Sequence, residues 1–154
     1  MDKPIRRITS FTVDHNVLEP GFYISRVDGD VTTFDLRTRK PNNGNYMDNA
    51  TMHSVEHMFA TLIRNSDIAD KVIYFGPMGC QTGFYLLTRD VTPADAWRHT
   101  VETIRKILAY EGPVFGASAK ECGNYRNLSL EAAKTELRAY LPVLEKLEDS
   151  NYAY

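Results

Sequence analysis

"HSVEHMFATLIRN", residues 53–65, decides how the rest of the chain is read. Its apolar residues recur at 55, 58, 59 and 62, the spacing of one helix face. On a helix turning by about 100° per residue, with His53 at zero, His57 falls near 40°, Arg64 near 20°, Ala60 near 340° and Glu56 near 300°, whereas Val55, Met58, Phe59 and Leu62 fall between about 140° and 240°. The spacing predicts a helix over roughly 49–65 that buries one stripe and turns two imidazoles the other way. Residues four apart are neighbours on such a surface, so His53 and His57 can reach one ion. H-x-x-E-H is the arrangement of inverted zinc hydrolases. Glu56 stands beside the ligand line, close enough to handle protons near a metal without binding it. The bland alternative is two surface histidines four apart by chance, with Glu56 solvated. The chain has four histidines in all, which favours the metal.

Two histidines do not complete a centre. Catalytic zinc-type sites have three protein ligands and one open position. Cys122, in "KECGNY" (120–125), and Glu131 both qualify as the third ligand. A thiolate is the softer donor. Glu131 has a claim because inverted zinc peptidases take a glutamate some tens of residues downstream. The plainer readings are a buried structural thiol for Cys122 and a dipole-favoured acid at a helix start for Glu131. Spacing alone leaves both open. The second cysteine, Cys80, lies in "PMGCQTG" (77–83), where Gly76, Gly79 and Gly83 let the backbone bend sharply and approach a ligand. It is either a thiol that acts on a bound molecule or a packed turn cysteine.

Around this helix the chain alternates short strands and helices. "RITSFTV" (7–13) is short and rich in β-formers. "GFYISRV" (21–27) and "VTTFDLRT" (31–38) predict a hairpin turning at Asp28-Gly29. "TRKPNNGNYMDN" (38–49) predicts a loop, "KVIYF" (71–75) a buried strand, and "FYLLTR" (84–89) the next strand. "TPADAWRHTVETIRKILAYEG" (92–112) predicts a helix with Thr92 as cap, Pro93 at the first helical position and Asp95 where a capping box wants an acid. "VFGASAKECGNYRN" (114–127) is irregular. Ser129 then caps a last helix over roughly 130–147, which Pro142 must kink or interrupt. This order predicts an α+β fold, a mainly antiparallel sheet with helices packed on one face.

The chain has 154 residues, and a domain takes roughly 100–200, so one domain over 1–154 is expected. It is 43% hydrophobic and 25% charged, the balance of a globular chain. A net charge of -2 offers no electrostatic case for nucleic acid or an anionic membrane. The N-terminus lacks the apolar run of a signal peptide, and no apolar stretch approaches the roughly 18 residues of a membrane span. The expected compartment is the cytoplasm, where Cys80 and Cys122 are thiols rather than a disulfide. No Walker motif and no G-x-G-x-x-G occurs.

Five motifs in order then resemble one family across nearly the whole chain: "SFTVDH" (10–15), "FDLR" (34–37) with "PN" (41–42), "HSVEH" (53–57), "PMGCQTGFY" (77–85) and "ECGNY…SLEAAK" (121–134). Together they resemble S-ribosylhomocysteine lyase, the LuxS family. The resemblance implies a compact two-layer α+β domain that forms a homodimer with active sites at the subunit interface. It implies one divalent metal per subunit, ferrous iron, with zinc or cobalt as substitutes, on His53, His57 and Cys122. The acid–base pair would be Glu56 and Cys80, and the substrate-contacting residues Ser10, His15, Arg37 and Arg64. The products would be homocysteine and dihydroxypentanedione, precursor of a quorum-sensing autoinducer. Two positions depart from the family pattern. Tyr74-Phe75-Gly76 stands where an acid often precedes P-M-G-C, and Leu128 replaces a histidine before S-L.

The implied chemistry explains the residue types. A carbonyl must migrate along the ribose before the thioether can be expelled. Each shift removes a proton beside a carbonyl and leaves an enediolate, which a Lewis-acid metal stabilises. The proton must be taken from one carbon and returned to the next, and Glu56 and Cys80 fit as the two groups. Arg64 is seven residues from His57, on the order of 10 Å along the helix, and is expected to hold the amino-acid end of the substrate. Two other readings compete: a small metallopeptidase using Glu56 and Glu131, and a non-catalytic metal-binding domain.

Overall fold

Gly29 adopts a left-handed φ of 62° and turns the chain between β1 (Gly21–Asp28) and β2 (Val31–Arg37), the expected hairpin. In this computed structural model, which describes residues 3–154, β3 (Val72–Pro77) and β4 (Gly83–Arg89) complete a four-stranded sheet. Its order is β1-β2-β4-β3 and every pairing is antiparallel. Side chains alternate across a strand, and one face is apolar: Phe34, Leu36, Phe84 and Leu86 are buried on it. Against that face pack α1 (Asn49–Ile63) and α3 (Leu130–Glu145), with α2 (Pro93–Ala109) packed against both helices. This is the α+β layering expected from the order of elements.

Capping residues set the helix starts. Asp48 accepts from the Thr51 N–H at 2.8 Å, Thr92 from Asp95 at 3.2 Å, and Ser129 from Ala132 at 3.2 Å. Within α1, Met52, Val55, Met58, Phe59 and Ile63 are buried, and Phe59 stacks on Phe75 at 4.3 Å. Leu62 is only partly buried, so the core stripe is completed by Ile63. The Ser129 N–H donates to Ser54 Oγ at 2.8 Å and the Trp97 indole to the Leu144 carbonyl at 2.9 Å, tying the three helices together.

Four expectations are corrected. Residues 7–13 form no strand; Thr9–Phe11 is a 3-10 turn outside the sheet. The strand expected at 71–75 is an edge strand, with Ile73 and Tyr74 exposed. The second helix stops at Ala109 rather than 112, because Gly112 takes a φ of 141° and Pro113 follows. Of the kink or interruption expected at Pro142, the interruption does not occur: α3 runs on to Glu145. The proline lies in the last turn, where a missing N–H removes one bond near the end of the ladder.

Among the described residues, the other face of the sheet carries no α-helix. Tyr23, Asp35 and Tyr85 are cross-strand neighbours on it, followed by Gly21, Arg37 and Gly83. Asp35 and Arg37 are nonetheless 0% and 2% exposed, covered by the segment around Ser10–His15 and by Tyr154. Both outer strands are irregular: β1 is bulged between Ile24 and Arg26, and β3 between Val72 and Tyr74. At β1 the Ile24 N–H donates outward to the Tyr152 carbonyl at 2.7 Å.

Candidate active site

The cap at Asp48 starts α1 so that its core stripe faces the sheet and His53 and His57 stand half-buried on the opposite side. Their rings lie 4.6 Å apart at 89°. His53 Nδ1 meets Asn127 Oδ1 at 2.5 Å, while the Asn127 amide donates to Asn49 Oδ1 at 3.0 Å. His57 Nδ1 meets the Phe115 carbonyl at 2.8 Å. A carbonyl oxygen only accepts, so both Nδ1 atoms carry the hydrogen and both Nε2 atoms keep a lone pair. Such outer partners fix ring orientation in metal centres. Gly116 backs His57 with a φ of 72°, and a Cβ there would stand 3.1 Å from His57 Nδ1.

The loop after α2 brings in the sulfur. The Cys122 N–H bonds to the Ser118 carbonyl at 3.0 Å, and Cys122 Sγ lies 3.3 Å from His53 Nε2. The Asn124 N–H donates to that sulfur at 3.4 Å. One ligand atom from each of His53, His57 and Cys122 lies within 4.8 Å of the others. Two imidazole nitrogens with free lone pairs and one thiolate fit a divalent transition metal, iron, cobalt or zinc alike. Glu131 is outside this group, exposed in the first turn of α3. The peptidase reading, which needs it as a ligand, loses its third donor.

Glu56 flanks the triad on both sides. It lines one cavity with His57, Phe115, Gly116 and Glu121, and another with His53, Asn49, Pro77 and Asn124. Cys80 stands on the tight turn after β3, where Gln81 takes a φ of 65° and is held by mutual bonds with Met47. Its sulfur is 3.0 Å from Thr82 Oγ1 and 3.7 Å from Arg37. Ser10, His15, Arg37, Tyr85 and Cys80 line a cavity of about 340 Å³, so four of the expected residues meet there. Pro77 borders both this cavity and that of His53 and Glu56. Arg64 joins neither group; it is exposed and donates to the Val72 and Ile73 carbonyls at 3.3 and 3.2 Å.

Arg37 is gripped by Asp35 through two bonds, at 3.1 and 2.6 Å. Burial works against the guanidinium charge, but Asp35 outweighs it and raises Arg37 above its ordinary value. Sequence reasoning missed Asp35, Thr82, Asn127 and the Phe115 carbonyl. Asp35 was findable, two residues from Arg37 and hence on the same strand face. Thr82 and Asn127 lie in irregular segments with no period to expose them. The two departures are absorbed locally: Leu128 packs against the core, and the exposed Tyr74 lays its ring across Gly76.

Residues 8–151 match the family model described as S-ribosylhomocysteinase (LuxS). The chain is 41% identical to a protein of Borreliella afzelii named S-ribosylhomocysteine lyase, over 97% of this chain and 99% of that one. It is 43% identical to the protein of that name from Clostridium beijerinckii and 45% identical to that from Desulfotalea psychrophila, with the same coverage. With likeness running from the Ser10 segment to beyond α3, the chain belongs to the S-ribosylhomocysteinase (LuxS) family.

Proposed function

We propose that this chain acts as a single metal-dependent lyase domain that cleaves the thioether of S-ribosylhomocysteine, releasing homocysteine and dihydroxypentanedione. The observation that carries the reading is the convergence of His53, His57 and Cys122 beside Glu56. Those three residues would hold one divalent ion per subunit, ferrous iron in our reading with zinc or cobalt as substitutes. When bound, it supplies a Lewis acid for oxygen anions that form beside a migrating carbonyl. Glu56, next to both imidazoles, takes a proton from one sugar carbon and returns it to the next. Cys80 serves the other carbon, and the final proton loss expels the homocysteine sulfur. Ser10, His15 and Arg37 orient the substrate in the Cys80 cavity. Arg64 holds the amino-acid end by exchanging the Val72 and Ile73 carbonyls for a carboxylate, which suits a fork of five donors.

A homodimer is part of the proposal. The helix-free face exposes Tyr74, and the segment over it exposes Ile8 and Phe11, apolar surface of the kind a second copy covers. We place the enzyme in the cytoplasm, where two free thiols stay reduced. No helix of the described residues is long and apolar enough to cross a membrane. The test is to add S-ribosylhomocysteine to anaerobically purified protein and measure free thiol alongside metal content. Wild type is expected to release homocysteine; Glu56→Gln is expected to keep its metal and release none. Normal turnover in that variant would remove Glu56 from the acid–base role.

A further inference from the structure

On the helix-free face a line of hydrogen bonds runs from the last residue of the sequence to Cys80. Tyr154 Oη lies 2.6 Å from Asp35 Oδ2. Asp35 holds Arg37 through Nε and a terminal nitrogen, and the remaining terminal nitrogen of Arg37 lies 2.8 Å from Thr82 Oγ1. Thr82 Oγ1 lies 3.0 Å from Cys80 Sγ. Asp35, Arg37 and Thr82 are all at most 2% exposed, so water is excluded from the bonds among these three, while Tyr154 and Cys80 at the two ends are exposed.

The direction of each bond follows from chemistry. A guanidinium only donates, so Thr82 Oγ1 accepts from Arg37. Its own hydrogen is then free for the Cys80 sulfur. The carboxylate paired with Arg37 only accepts, so Tyr154 donates to it. Burial, then the charge of Asp35, then the bond to it raise the Tyr154 hydroxyl well above its ordinary range, so it stays a donor. The ring is held independently of that hydroxyl. It stacks on Tyr23 at 4.9 Å and 18°. Two residues earlier the Tyr152 carbonyl is bonded to β1 and its ring meets Phe22 edge-on at 5.5 Å.

We propose that Tyr154 is a positioning residue for Cys80, acting through Asp35, Arg37 and Thr82. This rests on the reading of Cys80 as an acid–base group. Asp35 Oδ2 receives two donors, and the tyrosine is the one that comes from outside the sheet. Without it the carboxylate can rotate, the Arg37 fork follows, and Thr82 is no longer constrained to direct its hydrogen at the sulfur. Tyr154 is not among the residues grouped at the metal triad, so the device acts on Cys80 rather than on the ion.

The test uses the metal-loaded full chain and compares wild type, Tyr154→Phe, Thr82→Val and the double variant. Phenylalanine keeps the ring stack, so thermal midpoint and metal content should match wild type. Alkylation by iodoacetamide is followed by peptide mass, which separates Cys80 from Cys122. For Tyr154→Phe the Cys80 rate is expected to change about tenfold, the lower end of the scale on which outer partners act on a site. The kcat for homocysteine release should fall by a similar factor at unchanged KM. Tyr154→Phe should have a smaller effect in the Thr82→Val background than alone, since Thr82 carries part of the line and Arg37 also lies 3.7 Å from the Cys80 sulfur. Wild-type alkylation in Tyr154→Phe, or effects that multiply in the double variant, would overturn the proposal. If wild type releases no homocysteine, the lyase reading fails, while the alkylation arms still decide whether Tyr154 positions Cys80.

Discussion

His53 and His57 each give one ring nitrogen to a protein oxygen and keep the other for the shared point they face. That division makes sharp predictions. Cys122→Ala should lose the ion in elemental analysis, while Cys80→Ala should retain it; the reverse pattern would exchange their roles. Gly116→Ala should weaken metal binding, because a Cβ would press on His57 at 3.1 Å and the left-handed backbone adds strain of about 1–3 kcal/mol. Competitive chelator titration measures that loss. The two histidines were legible because helical period converts spacing into a shared face. It was the family resemblance that pointed to Cys122; spacing left it as one of two candidates, since nothing periodic relates residue 122 to residue 57. Asn127 was invisible for the same reason.

At the scale of elements, α1 begins where Asp48 accepts from Thr51. The Thr51 hydroxyl, and then the Thr51 N–H, lower the Asp48 carboxyl below its ordinary value of 3.8. A lowered folded value means the cap contributes fully above the unfolded value and is lost as pH falls through the folded one. Asp48→Ala should therefore cost about 1 kcal/mol at neutral pH. The gap from wild type should close as the pH drops below about 4 in denaturant titrations. Caps at Thr92 and Ser129, the apolar period of residues 55–62 and the turn at Asp28-Gly29 are why three helices and the first hairpin could be read from sequence. What misled was composition without period. The β-formers at 7–13 make a 3-10 turn, and the apolar run at 71–75 lies at an edge.

At the scale of the molecule, the triad joins α1 to the loop that leads into α3, with Cys122 lying 69 residues after His53. An ion bound only by the folded form stabilises it by about 2.7 kcal/mol at a hundredfold excess over its dissociation constant. Removing it with a chelator should lower the thermal midpoint of wild type in calorimetry and leave that of Cys122→Ala unmoved. The α+β class was legible from the order of elements. The pairing of Asp35 with Arg37 could be read from their two-residue spacing, but their burial could not, because a polar residue alternating with apolar ones reads as the solvent side of a strand.

The bulges at Ile24–Arg26 and Val72–Tyr74 fall on the two outermost strands, and Tyr152 already takes the Ile24 amide. A second chain therefore finds no flat, open row of amides along which to add a fifth strand. Copies of this protein that associate are expected to do so through side chains on the sheet face, since bulges at both rims disfavour extending the ladder.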